Sequence, residues 1–229
     1  LRYGRVLHTF LADDDGQLCA DVYVATNDEE IIVLCETCVP DEQVLKMMSA
    51  APSLRYVGDE YALLSVDGPS AWAVPAKLLS RDTLGMPYLS VETHLLDEIE
   101  VRLLRAGKTG EFGYLAMVPR AHASTVHDRF VAVAQEHGGG PCDADIHHLL
   151  RLDGRFHNIH REGKAVRDPL QLGLQWMIDF GKERFSGRDA ILARRAAGVE
   201  RRIVGIQLAA GLRGAEPGTV VTCDDQDAG

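Results

Sequence analysis

The stretch R-L-L-R-A-G-K-T-G-E-F-G-Y-L-A-M-V-P at 102–119 sets a glycine-rich turn between two apolar strand patterns. Ile99, Val101 and Leu103 alternate with charged neighbours as a half-buried strand does, and residues 114–118 resume an extended apolar run. Gly107, Gly110 and Gly113 lie between them. Glycines give backbone without a Cβ, so Lys108, Thr109 and Glu111 project from the turn and a ligand could approach the main chain closely. On these residues alone, a hairpin with a long loop and the wall of a binding site both stand.

Working outward, strands are expected around Val6, His8 and Phe10, at 18–25 and 31–35 (paired across T-N-D-E-E), at 54–57 and 62–66, and at 203–208. Helices are expected at 41–49, opened by an acidic first turn, from Gly68-Pro69-Ser70 onward, and at 124–138. The last of these has an apolar face of Val126, Phe130, Val131, Val133 and Ala134, and Gly138-Gly139-Gly140-Pro141 stops it. Those glycines lack the following Lys and Ser or Thr of a phosphate loop. Further helices are expected from His147 to Leu152, at 170–178 with Leu172, Leu174 and Trp176 buried, and at 187–195. Strands mixed with helices and hairpins indicate an α+β architecture.

The net charge of −10 over 229 residues, with basic residues dispersed among acids, argues against a nucleic-acid surface. No apolar run is long enough for a membrane helix and no signal-like segment opens the chain, so a cytoplasmic location and no membrane partner are expected. Five cysteines without a disulfide pattern fit a reducing compartment. C-E-T-C at 35–38 has no second C-x-x-C and is a weak redox or zinc signal. The chain opens on Leu1 inside a strand pattern and ends in an acidic tail at 224–229, which leaves trimming at either end open.

Five segments then recur in a shared order: G-Q-L-C-A-D-V-Y-V at 16–24, D-G-P-S-A at 67–71, the R-A-G-K-T-G-E-F-G-Y turn at 105–114, R-L-D-G at 151–154 and F-S-G-R-D-A-I at 185–191. The series resembles the aminomethyltransferase family, whose best-known member is the glycine cleavage T-protein, as a divergent and truncated member. The resemblance implies a T-protein-like fold with a first domain (1–48 and 142–198) interrupted by a ferredoxin-like domain (49–141). A remnant of a final β-barrel, otherwise mostly absent, or a tail would occupy 199–229.

By the same resemblance the activity is tetrahydrofolate-dependent transfer of an aminomethyl or methyl group to or from a small-molecule substrate. Asp21 is the implied catalytic carboxylate, with Arg105, Glu111, Tyr114 and Arg151 as cofactor contacts. A carboxylate suits this work because it can hold or relay the proton lost as the carbon bond forms. Departures from the family pattern are clustered. Ala20 replaces the first acid, Lys108 a tyrosine, Leu115 the glutamate that grips the pterin edge, His147 an arginine and His148 an acid. A leucine cannot accept those hydrogen bonds, and an unpaired buried donor costs about 1–3 kcal/mol.

Three readings follow. The protein is a folate-dependent one-carbon transferase with an altered pocket; or the fold is recruited, in specialised metabolism, to folate-independent acid–base chemistry using Lys108, His147 and His148; or it is a non-catalytic binding protein. Association with a second copy, or with a partner subunit supplying the missing segments, remains open. His147, His148, His157 and His160 with Cys142, Asp143 and Asp145 offer metal donors on paper, but H-N-I-H at 157–160 lacks the i, i+4 spacing of a zinc helix, and no metal is expected.

Overall fold

The computed structural model describes residues 2–27, 30–49, 53–208, 218–223 and 226–227. In chain order its elements are β1 (Val6–Ala12), β2 (Leu18–Asn27), β3 (Glu30–Thr37), α1 (Asp41–Met48), β4 (Tyr61–Asp67), α2 (Ala73–Leu78), β5 (Ser90–Leu96), β6 (Ile99–Arg105), β7 (Gly113–Pro119), α3 (Ala123–Glu136), α4 (Ala144–Asp153), α5 (Glu162–Ala165), α6 (Arg188–Ala197), β8 (Thr222–Cys223) and β9 (Gln226–Asp227). Strands β1-β2-β3 form one antiparallel sheet and β4-β7-β6-β5 another, so the α+β class holds. None of the helices described is long and apolar enough to cross a membrane.

Strand β2 is buried without a break from Leu18 to Tyr23 because it is central and covered on both faces. Alternation sends Ala20 and Val22 toward Val44 of α1, while Tyr23 and Ala25 pack with Val6 against Leu104, Ala106 and Met117 of the second sheet. Asp21 shares the parity of Tyr23, so the strand carries a carboxylate into the seam between the sheets. The other face of the four-stranded sheet is covered by α2 and α3, with Val126, Phe130 and Val133 of α3 in that core. A bridge between Arg5 and Ser90 joins the sheets at their corner.

Several expected elements differ. Residues 54–57 pair with no strand, and Leu54 and Tyr56 are exposed. After Gly68-Pro69-Ser70 the chain turns, and α2 starts only at Ala73. Residues 170–178 are not a helix. Asp168 ties the segment into turns through the Leu170 and Leu172 N–H groups, Gly173 adopts φ +75°, and one 3₁₀ turn follows at Gln175–Met177. Leu174 is buried there as expected, whereas Trp176 is 64% exposed. Residues 203–208 have a strand's composition but join no ladder, since no neighbouring edge among the described residues meets them. Of the expected acidic tail, residues 224, 225, 228 and 229 lie outside the described residues.

Candidate active site

In the β2–β3 ladder, Asp21 lies directly opposite Glu36. Like charges on one rung repel. The glycine turn resolves this by delivering Lys108, whose Nζ lies 2.8 Å from Asp21 Oδ2 and 2.9 Å from Glu36 Oε1. The turn can come this close because its ends touch: a Cβ on Gly107 would lie 2.9 Å from the Gly113 Cα and 2.7 Å from Asp67 Oδ1. Helix α4 adds Arg151, which donates to Glu36 Oε2 at 3.1 Å and to the His157 carbonyl at 3.0 Å. This helix is inverted relative to a usual surface helix, burying Arg151 while Leu149 and Leu152 stay more than half exposed.

The second oxygen of Asp21, Oδ1, is 2.7 Å from His8 Nε2 on β1. His8 stacks on the Tyr23 ring at 4.4 Å, and Lys108 Nζ lies 5.2 Å from the same ring. His157 Nε2 stands 3.4 Å from Asp21 Oδ2 and is buried without a hydrogen bond. Asp21, Lys108 and Arg151 are each at most 5% exposed.

These contacts divide the titration. Burial alone would push the Asp21 carboxyl up, but the His8 hydrogen bond and the Lys108 charge outweigh it and hold the group far below the usual carboxylate range. Glu36 is lowered too: burial opposes it, and Lys108 and Arg151 override both burial and the Asp21 charge. His157 is pushed down, first by burial and then by Lys108 and Arg151, against the pull of Asp21. The site therefore holds two fixed carboxylates beside a neutral imidazole whose free nitrogen can take a proton.

Of the residues singled out in the sequence, Asp21, Lys108 and Arg151 meet in this cluster. His147 points elsewhere: its Nε2 is 3.7 Å from Asp67 Oδ2, and it is part-exposed. His148 pairs with Asn158 at 3.2 Å. Arg105 caps the Met86 carbonyl and lies 5.3 Å from the Phe112 ring centroid. Tyr114 is buried under α2 and α3 on the far face of the second sheet, and Glu111 is exposed. The sequence reading missed His8 and Glu36, and weighed His157 only as a metal donor.

Fold and site together define a T-protein-like α+β scaffold with a buried carboxylate at the junction of its sheets. The chain belongs to the family of the GCVT N-terminal domain, whose model matches residues 1–182. Among curated relatives, the aminomethyltransferase of Mycolicibacterium paratuberculosis is 30% identical over 210 residues, covering 90% of this chain and 56% of that protein. Those of Thermoanaerobacter sp. and Mycobacterium bovis are 26% and 28% identical, over 91% and 99% of this chain and 58% and 62% of theirs. The chain thus spans between half and two thirds of the length of these relatives. The glycine cleavage system aminomethyltransferase T from Bartonella henselae has the same fold, with a TM-score of 0.68 at 18% identity over 86% of this chain and 55% of that one.

Proposed function

We propose that this chain carries a tetrahydrofolate-dependent one-carbon transferase site in which Asp21 is a fixed anion and His157 the proton acceptor. The observation that carries the reading is the Asp21 carboxylate itself, buried with both oxygens held at the position the resemblance implies to be catalytic. The donor set fits a polar heterocycle: Thr109 Oγ1, Arg151 Nε and Asp67 Oδ1 are buried polar atoms that lack a hydrogen-bond partner. Buried polar atoms are rarely left so in a folded chain, and a ligand rich in ring nitrogens and an amide edge would satisfy them.

Thr109, Arg151 and Asp67 would hold the folate, which supplies the nitrogen that takes up the one-carbon unit. The negative charge of Asp21 favours positive charge on a one-carbon unit placed beside it, and burial strengthens that effect. Because Asp21 stays ionised, it cannot be the group that titrates as the transfer proceeds. His157, neutral and 3.4 Å away, is placed to take the proton, and the ionised carboxylate then stabilises the imidazolium that forms. His8, stacked on Tyr23, keeps Asp21 in place.

A second reading, acid–base chemistry without folate, draws support from Leu115, which packs part-buried against the inter-sheet core where the family's pterin-gripping glutamate would stand. Of the three groups it assigns, Lys108 reaches Asp21, whereas His147 and His148 pair with Asp67 and Asn158. Calorimetric titration with tetrahydrofolate separates the two. The first expects saturable binding that Thr109→Val weakens by about 5- to 30-fold, the cost of one buried hydrogen bond. No heat of binding to the folded wild type would remove it.

A further inference from the structure

The sequence offers C-E-T-C as its cysteine pair, but the structure separates those two residues. Three steps along an extended chain span about 10 Å, beyond the roughly 7 Å limit for a disulfide. A different pair is brought together. The β2–β3 ladder ends with Ala20 opposite Thr37, so the next residues outward, Cys19 and Cys38, face each other, and the Cys38 N–H donates to the Cys19 carbonyl at 3.0 Å. Facing residues in an antiparallel pair have Cα atoms about 4.5–5.5 Å apart, inside the range a disulfide spans.

The two thiols share one cation, Arg167. Cys38 Sγ lies 3.2 Å from the Leu18 carbonyl and 3.5 Å from that of Cys19. Cys19 Sγ lies 3.3 Å from Arg167 Nη2, and the same guanidinium bears on the Cys38 thiol. Arg167 is anchored by the Leu18 carbonyl at 2.9 Å and by Asp13 at 2.9 Å. Burial pushes both thiols up, and Arg167 partly opposes that shift at each sulfur.

We propose that Cys19 and Cys38 form a reversible cross-strand disulfide when the protein meets a peroxide. The part-exposed Cys38 attacks first: its sulfur bonds to one peroxide oxygen as the O–O bond breaks, and the other oxygen leaves as water with the thiol proton. The fully buried Cys19 then attacks the Cys38 sulfenic acid, the S–S bond forms, the S–O bond breaks and a second water leaves with the Cys19 proton. Two thiols lose two electrons and one hydrogen peroxide becomes two waters. The bond ties β2 to β3 two rungs from Asp21 and Glu36.

The test treats wild type, and a Cys35→Ser/Cys142→Ser/Cys223→Ser variant, with hydrogen peroxide, blocks free thiols with iodoacetamide, and digests with a glutamyl endopeptidase that cuts between residues 19 and 38. A linked pair of peptides, separated by dithiothreitol, is expected, together with a rise in Tm on the order of 5 °C that reduction reverses. Cys19→Ser is expected to leave Cys38 to oxidise further, to sulfinic acid. If Cys19 and Cys38 both remain alkylatable in wild type at peroxide concentrations that oxidise Cys35 and Cys142, the proposal is overturned. The outcome is independent of folate binding.

Discussion

Asp21 and Glu36 face each other across one rung of the β2–β3 ladder, and Lys108 from the glycine turn bridges them at 2.8 and 2.9 Å. Two carboxylates so placed need the cation, and the cation, 5% exposed, needs them. Where the resemblance implies a tyrosine, this chain sets a lysine between the two carboxylates.

Removing the bridge should therefore cost more than an ordinary ion pair. Lys108→Met is expected to destabilise by about 3 kcal/mol or more, since it strands buried charge. Adding Asp21→Asn should recover a large part of that loss, so the pair is strongly non-additive. Urea unfolding of the two single variants and the double variant measures this.

His157 gives the stability a pH dependence near neutrality. Its folded pKa lies below the unfolded value of about 6.5. As pH falls through that range the unfolded chain binds a proton the native state refuses, so stability is full above it and declines toward the folded pKa. Chemical unfolding at pH 7.5 and 5.5 is expected to show this decline, and His157→Gln to reduce it.

His8 acts at lower pH. The depressed folded pKa of Asp21 contributes stability above the unfolded value, about 3.9, that is lost as pH falls through the folded pKa. His8→Phe removes the hydrogen bond to Oδ1, raises that folded pKa and should move acid unfolding to higher pH, followed by far-UV circular dichroism.

The glycine turn is tested by Gly107→Ala. The new methyl would meet Asp67 Oδ1 at 2.7 Å and the Gly113 Cα at 2.9 Å, so a loss of about 1–3 kcal/mol is expected. Gly85→Ala, where a Cβ meets nothing within 4 Å, is the control and should leave Tm within a degree or two.

The fold class and the positions of Asp21, Lys108 and Arg151 were legible because they sit inside ordered motifs. His8 and Glu36 were legible in principle from strand register. Pairing β2 with β3 about their turn sets Asp21 opposite Glu36, and pairing β1 with β2 sets it opposite Phe10, which puts His8 on the diagonal. His157 lies in a loop after α4 and carries no periodic signal, so only tertiary placement shows it. Tyr114 and Arg105 could not be sorted by motif alone, since alternation along β6 and β7 decides which sheet face each serves. Trp176 looked like core, but the turn set by Asp168 and Gly173 holds it at the surface, 5.7 Å from the His8 ring.

In the proposed site Asp21 is a permanent anion and His157 the titrating group beside it. Carbon-detected NMR of selectively labelled Asp21 across pH 3 to 8 tests this directly. No titration of the carboxyl above the ordinary aspartate value of about 3.9 is expected, with His157 titrating below about 6.5. A carboxyl at position 21 that titrates between pH 5 and 7 would contradict it.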